Sequence, residues 1–303
     1  MLTPAEIQQV TLKPSDYTNS KVVTLDITLV PSVPMKQGMG ILITFPRQIG
    51  LPTQSSDLSC QSTTKSLISS AWCELFSGGA PNLQNTIYVQ MNLVTNIASS
   101  DRIGFKISGV RNPPSTQTTD SIEIRIVNGE DFSSVNQKLK GLFLTTVNPH
   151  LVKKAAVKPG SLEPGVSTQY IFDFWPEHTI SSGGGFMIIV PSQIQRDGDV
   201  DLKVEVQIEG RETDQAVVFP RFVESARQLI VEQVVQGVQA LEPGAKVTLK
   251  IQGFDTPRTS EETDSFEITS FNQKDKKYMY FIDGAKSGLF IKSDCSYPCR
   301  TCE

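Results

Sequence analysis

The chain has 303 residues, 38% of them hydrophobic, and its 28 basic and 32 acidic side chains give a formal net charge of −4. This length allows two domains with separate cores, and the balanced charge leaves nucleic acid or an anionic membrane no basic surface to bind. The longest uninterrupted apolar run, Phe186 to Val190, is far shorter than the roughly 20 residues of a membrane helix. We therefore expect no nucleic-acid partner and no direct membrane insertion.

The first half of the chain has the pattern of short strands. Ile7 to Lys13 is an extended segment, and Lys21 to Val30 alternates apolar with polar residues, as a half-buried strand does. The continuous apolar run from Gly40 to Pro46 is typical of a strand covered on both faces. Thr86 to Leu93 alternates again. Short strands separated by Gly and Pro turns predict about seven or eight strands in this half.

One segment occurs twice. Between Gly109 and Ile124, seven of sixteen positions are identical to those 144 residues later, which indicates a tandem repeat. Each copy is predicted to be a strand, a turn-rich arch and a second strand. We expect Gly109 and Gly253 to end the first strand with a positive φ, and Pro113 and Pro257 to stop it from continuing.

The triplet Thr-Asp-Ser closes each arch, at residues 119–121 and 263–265. Its side-chain oxygens can accept hydrogen bonds from nearby backbone amides, which is a common way to begin a strand after a turn. The repeated motif is therefore interpreted as structural. A ligand-binding role for the arches stays open, because loops often carry function.

The second half repeats the order of the first. Val152 to Lys158 and Ser167 to Phe174 match its first two strands, and Gly185 to Pro191 matches its apolar run. Arg221 to Gln236 fits a helix or a strand by pattern, and the repeat favours a strand. The fold class is predicted to be all-β, with two tandem immunoglobulin-like antiparallel β-sandwiches at residues 1–150 and 151–293 and the start of a cysteine-rich module at 294–303.

Cys60 and Cys73 lie in the first half among polar residues. We predict a disulfide, which would stabilise the domain by about 3 kcal/mol and place the protein in oxidising, extracellular surroundings. The alternative is a pair of buried free thiols. At an offset of 145, the second copy has Glu205 and Val218 at these positions, so it is expected to lack the bond.

Cys295, Cys299 and Cys302 form a Cys-x3-Cys-x2-Cys pattern within the last nine residues. An odd number of cysteines cannot pair completely, so we expect these three to be unpaired within this chain and to begin a truncated cysteine-rich module. The alternative is a zinc site, which would need a fourth ligand.

The sequence predicts no catalytic residue and no cofactor. The only histidines, His150 and His178, each follow closely behind a proline in a predicted loop, which argues against a nucleophile–base pair. Asp197, Asp199 and Asp201 are spaced as in some calcium loops, but the Gly and Glu positions of an EF-hand are not matched. We predict a hairpin turn around Asp-Gly, with a weak calcium site as the alternative.

The doubled Gly-x-x-x-Pro-x-Ser/Thr motif, the Thr-Asp-Ser triplet and the cysteine tail give the chain a resemblance to large extracellular proteins of ciliates and green algae. In these proteins, immunoglobulin-like repeats alternate with furin-like cysteine-rich repeats. The mastigoneme proteins, which build hair-like fibres on flagella, are the most similar type. The resemblance covers both repeats and implies a structural role with no catalytic residues to carry over.

These observations predict a non-catalytic subunit of an extracellular fibre or surface coat, at the cell or flagellar surface, that self-associates through its immunoglobulin-like domains. The alternative is a cell-surface receptor or adhesin that binds a carbohydrate or protein through sandwich loops. For a fibre, Pro4 to Lys13 is the best candidate for a strand donated to a neighbouring chain. The competing interpretation makes this segment the first strand of its own domain.

Overall fold

The computed structural model of the chain describes residues 4–76, 85–211, 216–218, 220–235, 240–274 and 278–294. It divides into two compact units, residues 1–148 and 149–303, so the boundary lies two residues before the expected one. Each unit is an all-β, immunoglobulin-like sandwich of two sheets, as predicted. Within the described ranges, no helix is long and apolar enough to cross a membrane.

The described part of the first unit forms ten strands, more than predicted. They are β1 Ala5–Glu6, β2 Gln9–Pro14, β3 Val22–Val30, β4 Met39–Thr44, β5 Ser59–Ser62, β6 Ile68–Leu75, β7 Thr86–Leu93, β8 Ile103–Arg111, β9 Glu123–Asn128 and β10 Ser134–Lys138.

The second unit has the same elements and one additional strand. Its described strands are β11 His150–Leu151, β12 Ala155–Pro159, β13 Ser167–Phe174, β14 Gly185–Ile189, β15 Lys203–Ile208, β16 Ala216–Val218, β17 Arg221–Val223, β18 Gln228–Val231, β19 Val247–Asp255, β20 Glu267–Lys274 and β21 Tyr278–Ala285. The ambiguous segment from Arg221 is thus mainly two strands, with a short 3-10 turn at Glu224–Ala226 between them.

Strand order confirms the repeat. The first unit has a six-stranded sheet, β1-β10-β9-β4-β7-β6, and a four-stranded sheet, β2-β3-β8-β5. The second has β11-β21-β20-β14-β18-β17 and β12-β13-β19-β15, which is the same order strand for strand, and β16 is added at the edge beside β15. Equivalent positions in the two units can therefore be compared through their strand pairings.

The core of each sandwich lies between its sheets and is built by alternation. In β3, Leu25, Ile27 and Leu29 are fully buried, whereas Asp26 and Thr28 between them point outward and are partly exposed. Each strand of this kind removes one row of apolar side chains from water and leaves a polar row on the outer face.

The N-terminal segment completes both sheets of its own unit. β1 pairs in parallel with β10, with Ala5 opposite Asn136, and β2 pairs with β3 in antiparallel register. Ile7 lies between these two strands and is buried in the core. The segment from Pro4 to Lys13 is therefore used within its own domain, which counts against the predicted donation to a neighbouring chain.

The repeated glycines have a positive φ as predicted, +96° at Gly109 and +102° at Gly253, but they do not end their strands. Each lies two residues before the end of β8 or β19, where the pairing register shifts in a β-bulge. A methyl group on Gly109 would overlap the backbone oxygen of Asp57. Glycine is thus required by backbone conformation and by close packing.

Replacing Gly109 by alanine is expected to lower the free energy of unfolding of the first domain by about 2–4 kcal/mol, because positive-φ strain and a backbone collision add. Gly141 is the matched control: its φ is +86° and a methyl group there would meet no atom within 4 Å. Gly141→Ala should cost only the strain, about 1–2 kcal/mol. Urea denaturation measures both, and equal losses would refute the packing role of Gly109.

The Thr-Asp-Ser triplets come just before β9 and β20, as predicted, but their threonines bond to distant backbone amides and not to nearby ones. Thr119 Oγ1 accepts a hydrogen bond from the Leu144 amide at 3.0 Å, and Thr263 Oγ1 accepts one from the Ile291 amide at 3.1 Å. Both threonines are buried. The motif therefore ties the end of each arch to the segment that follows the last strand of its own domain.

Candidate binding surface

The predicted cysteine pair is a disulfide. Cys60 in β5 and Cys73 in β6 are bonded, with their Cα atoms 5.5 Å apart. β5 is an edge strand of the four-stranded sheet and β6 is an edge strand of the six-stranded sheet. The bond therefore closes one open side of the sandwich by joining its two sheets.

The predicted counterparts of these cysteines in the second domain need correction. Cys60 lies opposite Ile107, and the residue opposite the equivalent Ile251 is Val204 rather than Glu205. The pairing of β17 likewise places Pro220, not Val218, at the position of Cys73. The offset between the copies changes along the chain, because the connections between their strands differ in length.

Asp197, Asp199 and Asp201 do not lie in a hairpin, because they are in the loop that crosses from β14 to β15, in the other sheet. The Asp197 carboxylate accepts the Asp199 amide at 2.9 Å, which makes a local Asx turn, and Asp201 lies 3.7 Å from the Lys203 ammonium. No cluster of potential metal ligands occurs among the described residues. Cys295, Cys299 and Cys302 lie outside that part of the chain.

The two histidines belong to a polar cluster in the second domain. His178 Nδ1 is 2.6 Å from Asp283 Oδ1, and His150 Nε2 is 3.0 Å from Glu177 Oε2. Asp283 is fully buried and also accepts the backbone amides of Glu177 and His178, each at 2.9 Å. No described Ser or Cys side chain bonds to either imidazole, so no nucleophile–base pair is formed by the described residues. The hydrogen bonds of the cluster fix the loop that contains Glu177 and His178.

A row of polar side chains crosses the outer face of the four-stranded sheet in the first domain. Lys13, Asp26, Lys106 and Gln61 lie directly opposite one another, one on each of β2, β3, β8 and β5. We call them the lysine row. Neighbouring strands are about 4.8 Å apart, which places the backbones of the two lysines roughly 10 Å apart on either side of the aspartate.

A second row, of hydroxyl groups, runs beside the lysine row. Ser15, Thr24, Ser108 and Ser59 follow the same strands, and the Thr24 and Ser108 hydroxyls are 2.8 Å apart. Together the two rows line an open depression of ≈ 580 Å³. Apart from Pro14, its lining residues all carry side-chain hydrogen-bond donors or acceptors.

The equivalent face of the second domain is closed by its own side chains. There, Lys250 lies 3.0 Å from the Glu205 carboxylate, and that contact lowers the pKa of Glu205. Asp173 accepts a hydrogen bond from Thr248 at 2.7 Å and an ion pair from Lys246 at 2.9 Å. Two lysines of this face, Lys246 and Lys250, are thus each paired with a carboxylate.

The lysine row lacks this internal pairing. The position of Glu205 is Gln61 in the first domain, so Lys106 has an uncharged amide on one side and Asp26 on the other. Across residues 4–76 and 85–211, neither Lys13, Asp26 nor Lys106 has an ion-pair partner within 4.0 Å. The row carries a net positive charge that is available to a ligand.

Sequence reasoning missed the lysine row. Its members alternate with core residues in separate strands, and only the pairing register brings Lys13 and Lys106 into one line. The available signal was the comparison of copies: Lys106 and Lys250 are equivalent, but Lys106 lies between Asp26 and Gln61, whereas Lys250 lies between Ile171 and Glu205.

The chain matches no protein-family profile and no curated protein. Among solved structures it is similar to the C-terminal domain of the antigen I/II-family protein AspA of Streptococcus pyogenes, at 10% identity over 95% of this chain and 98% of that chain, with a TM-score of 0.29. A collagen adhesin from S. aureus has 11% identity over 95% and 96%, with a TM-score of 0.24. A partial N-terminal region of an enterococcal surface protein has 8% identity over 97% and 96%, with a TM-score of 0.28. At these values the likeness supports no functional conclusion.

Proposed function

We propose that the chain is a non-catalytic, ligand-binding part of an extracellular surface protein, acting as an adhesin or receptor. The observation that carries this proposal is the unpaired lysine row on the first domain. In its counterpart on the second domain, Lys250 forms an ion pair with Glu205. The two domains thus offer the same scaffold with Lys106 open in the first and its counterpart Lys250 paired in the second.

The ligand is a protein or glycan that presents an anionic group. Two ammonium groups flank one carboxylate in the lysine row, so a ligand carboxylate or sulfate gains charge-assisted hydrogen bonds. The neighbouring hydroxyl row offers neutral donors and acceptors to the rest of the ligand. The site lies on a sheet face, whereas the sequence favoured the sandwich loops.

Extracellular location is supported by the Cys60–Cys73 disulfide, because such bonds persist in oxidising surroundings. The fibre role has less support, since the Pro4 to Lys13 segment pairs within its own domain. The resemblance to mastigoneme proteins stays a prediction.

Neutralising both lysines tests the proposed function. We expect the full chain to bind members of an array of extracellular-matrix proteins and acidic glycans, more weakly as the salt concentration rises. Lys13→Gln/Lys106→Gln should lose at least about tenfold in affinity, since two charge-assisted hydrogen bonds are removed. Lys158→Gln/Lys250→Gln changes the equivalent positions of the second domain and is the matched control.

The control variant should bind as the unchanged chain does. Thermal melting of both variants establishes that each remains folded. Binding that both double variants weaken equally, or that neither weakens, would refute the assignment of ligand binding to the lysine row.

A further inference from the structure

A second surface lies on the opposite sheet of the first domain and is aromatic. Trp72 lies opposite Gln90, and Glu74 lies opposite Tyr88. These four side chains point outward, because the alternate residues of β7, Ile87 and Val89, fill the core. The proposed function does not use this face.

Three further rings on this side of the first domain pack together. Phe76 and Phe132 meet edge to face with centroids 4.9 Å apart, and Tyr88 lies 5.3 Å from Phe132 and 6.4 Å from Phe76. We call Trp72, Phe76, Tyr88 and Phe132 the aromatic patch. Edge-to-face packing holds such rings in fixed orientations.

Glycines provide a flat floor for the patch. A methyl group on Gly40 would lie 2.5 Å from the Tyr88 Oη, so the ring lies directly across the β4 backbone. A methyl group on Gly129 would lie 3.3 Å from the same hydroxyl oxygen. Burial, with a contribution from the Glu74 charge, raises the pKa of Tyr88, and the phenol stays neutral.

The patch keeps two rings open to water. Trp72 is 42% exposed and Phe132 is 39% exposed. Phe132 has a φ of +54°, an unfavourable conformation for a bulky residue, and strain of this kind is often retained for function. The strained residue places its ring against Phe76 and Tyr88 instead of in the core.

The polar groups around the patch carry little net charge. Glu123 and Arg125, on the same face, form an ion pair at 2.7 Å. Among the described residues, the Glu74 carboxylate and the Gln90 amide make no hydrogen bond or ion pair, and they flank Trp72 on its own strand and on the next. They can accept and donate hydrogen bonds to hydroxyl groups.

We propose that the aromatic patch binds a pyranose ring of a neutral polysaccharide. The axial C–H face of such a sugar matches the size and the electron-rich face of an indole ring, and its equatorial hydroxyls can reach Glu74 and Gln90. An anionic ligand would be repelled by the Glu74 carboxylate. This patch is distinct from the lysine row, so either surface can bind without the other.

A second copy of the chain does not fit as the occupant. At 42% and 39% exposure, and roughly 200 Å² for a whole aromatic side chain, the two rings offer on the order of 150 Å². A stable dimer buries about 800 Å² per partner. In the second domain, Ile230 takes the position of Tyr88 and Val223 that of Phe76.

Affinity electrophoresis and fluorescence test the proposal on the full chain. The probes are hydroxyethylcellulose, galactomannan, neutral xylan and dextran. The chain has two tryptophans, so Trp175→Phe leaves Trp72 as the sole reporter. We expect at least one probe to retard the chain and to shift the Trp72 emission to shorter wavelength. Trp72→Ala should lose about tenfold or more in affinity, as expected for one stacked ring, and Trp72→Phe should retain part of the binding.

Matched variants separate this site from the proposed function. Lys13→Gln/Lys106→Gln should leave polysaccharide binding unchanged, and Trp72→Ala should leave binding to the acidic array unchanged. Absence of retardation by all four probes would overturn the proposal, as would retardation that survives Trp72→Ala. A dimer in sedimentation that Trp72→Ala dissociates would also overturn it, because the occupant would then be a second copy.

Discussion

Replacing Asp283 by alanine is expected to lower the free energy of unfolding of the second domain by about 3–5 kcal/mol, the range for removing one partner from a buried ionic group. Asp283 is fully buried, and its loss would leave the amides of Glu177 and His178 without an acceptor. The His178 imidazole would lose its partner as well. Each of these groups would then be desolvated without compensation.

The first domain supplies the control for this prediction. Asn136 is its equivalent of Asp283, and it is also fully buried. Its side chain accepts the Val33 amide at 3.1 Å and donates to the Ala5 carbonyl and the Ser32 hydroxyl. A side-chain amide at the equivalent position thus also accepts a backbone amide and bonds to the neighbouring segments. Asp283→Asn should cost only about 1–2 kcal/mol.

Urea denaturation followed by fluorescence can resolve the two domains, because Trp72 lies in the first and Trp175 in the second. In a Trp72→Phe background, the emission reports the second domain alone. If Asp283→Ala and Asp283→Asn shift the unfolding midpoint equally, or not at all, then the buried carboxylate does not hold the loop.

Removal of the disulfide is expected to cost the first domain about 3 kcal/mol, through the entropy that the unfolded chain regains when its loop opens. Cys60→Ser/Cys73→Ser should show this loss in a Trp175→Phe background, where Trp72 reports the first domain. Reducing agent should have the same effect on the unchanged chain.

The second domain is the internal control for reduction. Val204 stands in place of Cys60, and its side chain is buried in the core. Reducing agent should leave the transition reported by Trp175 unchanged. A first domain whose stability does not respond to reductant or to the double substitution would contradict the stabilising role of the bond.

Much of the fold could be predicted, because short-range patterns determine it. The alternation in β3 separates core Leu25 and Ile27 from outward Asp26, and the repeated arch fixes the correspondence of the copies. The disulfide also followed from composition. These features depend on residues close in sequence or on identity between the two copies.

The remainder depends on pairing between distant segments. Gly109 lies inside β8, because the bulge is set by how β8 pairs with β3. β16 has no counterpart among the described strands of the first domain, so the repeat could not predict it. The lysine row and the aromatic patch both require strand register, which brings Lys13 next to Asp26 and Trp72 next to Gln90.

The parallel pairing of β1 with β10 determines how each domain responds to tension. Ala5 and Glu6 run in the same direction as Asn136 and Gln137, so the chain enters at one end of this pair and leaves at the other. A pull on the two ends of the domain therefore slides β1 along β10, and their hydrogen bonds share the load instead of opening one after another. β11 and β21 repeat this geometry in the second domain. A surface protein that holds a bound ligand against flow would transmit the force as shear along these parallel strand pairs.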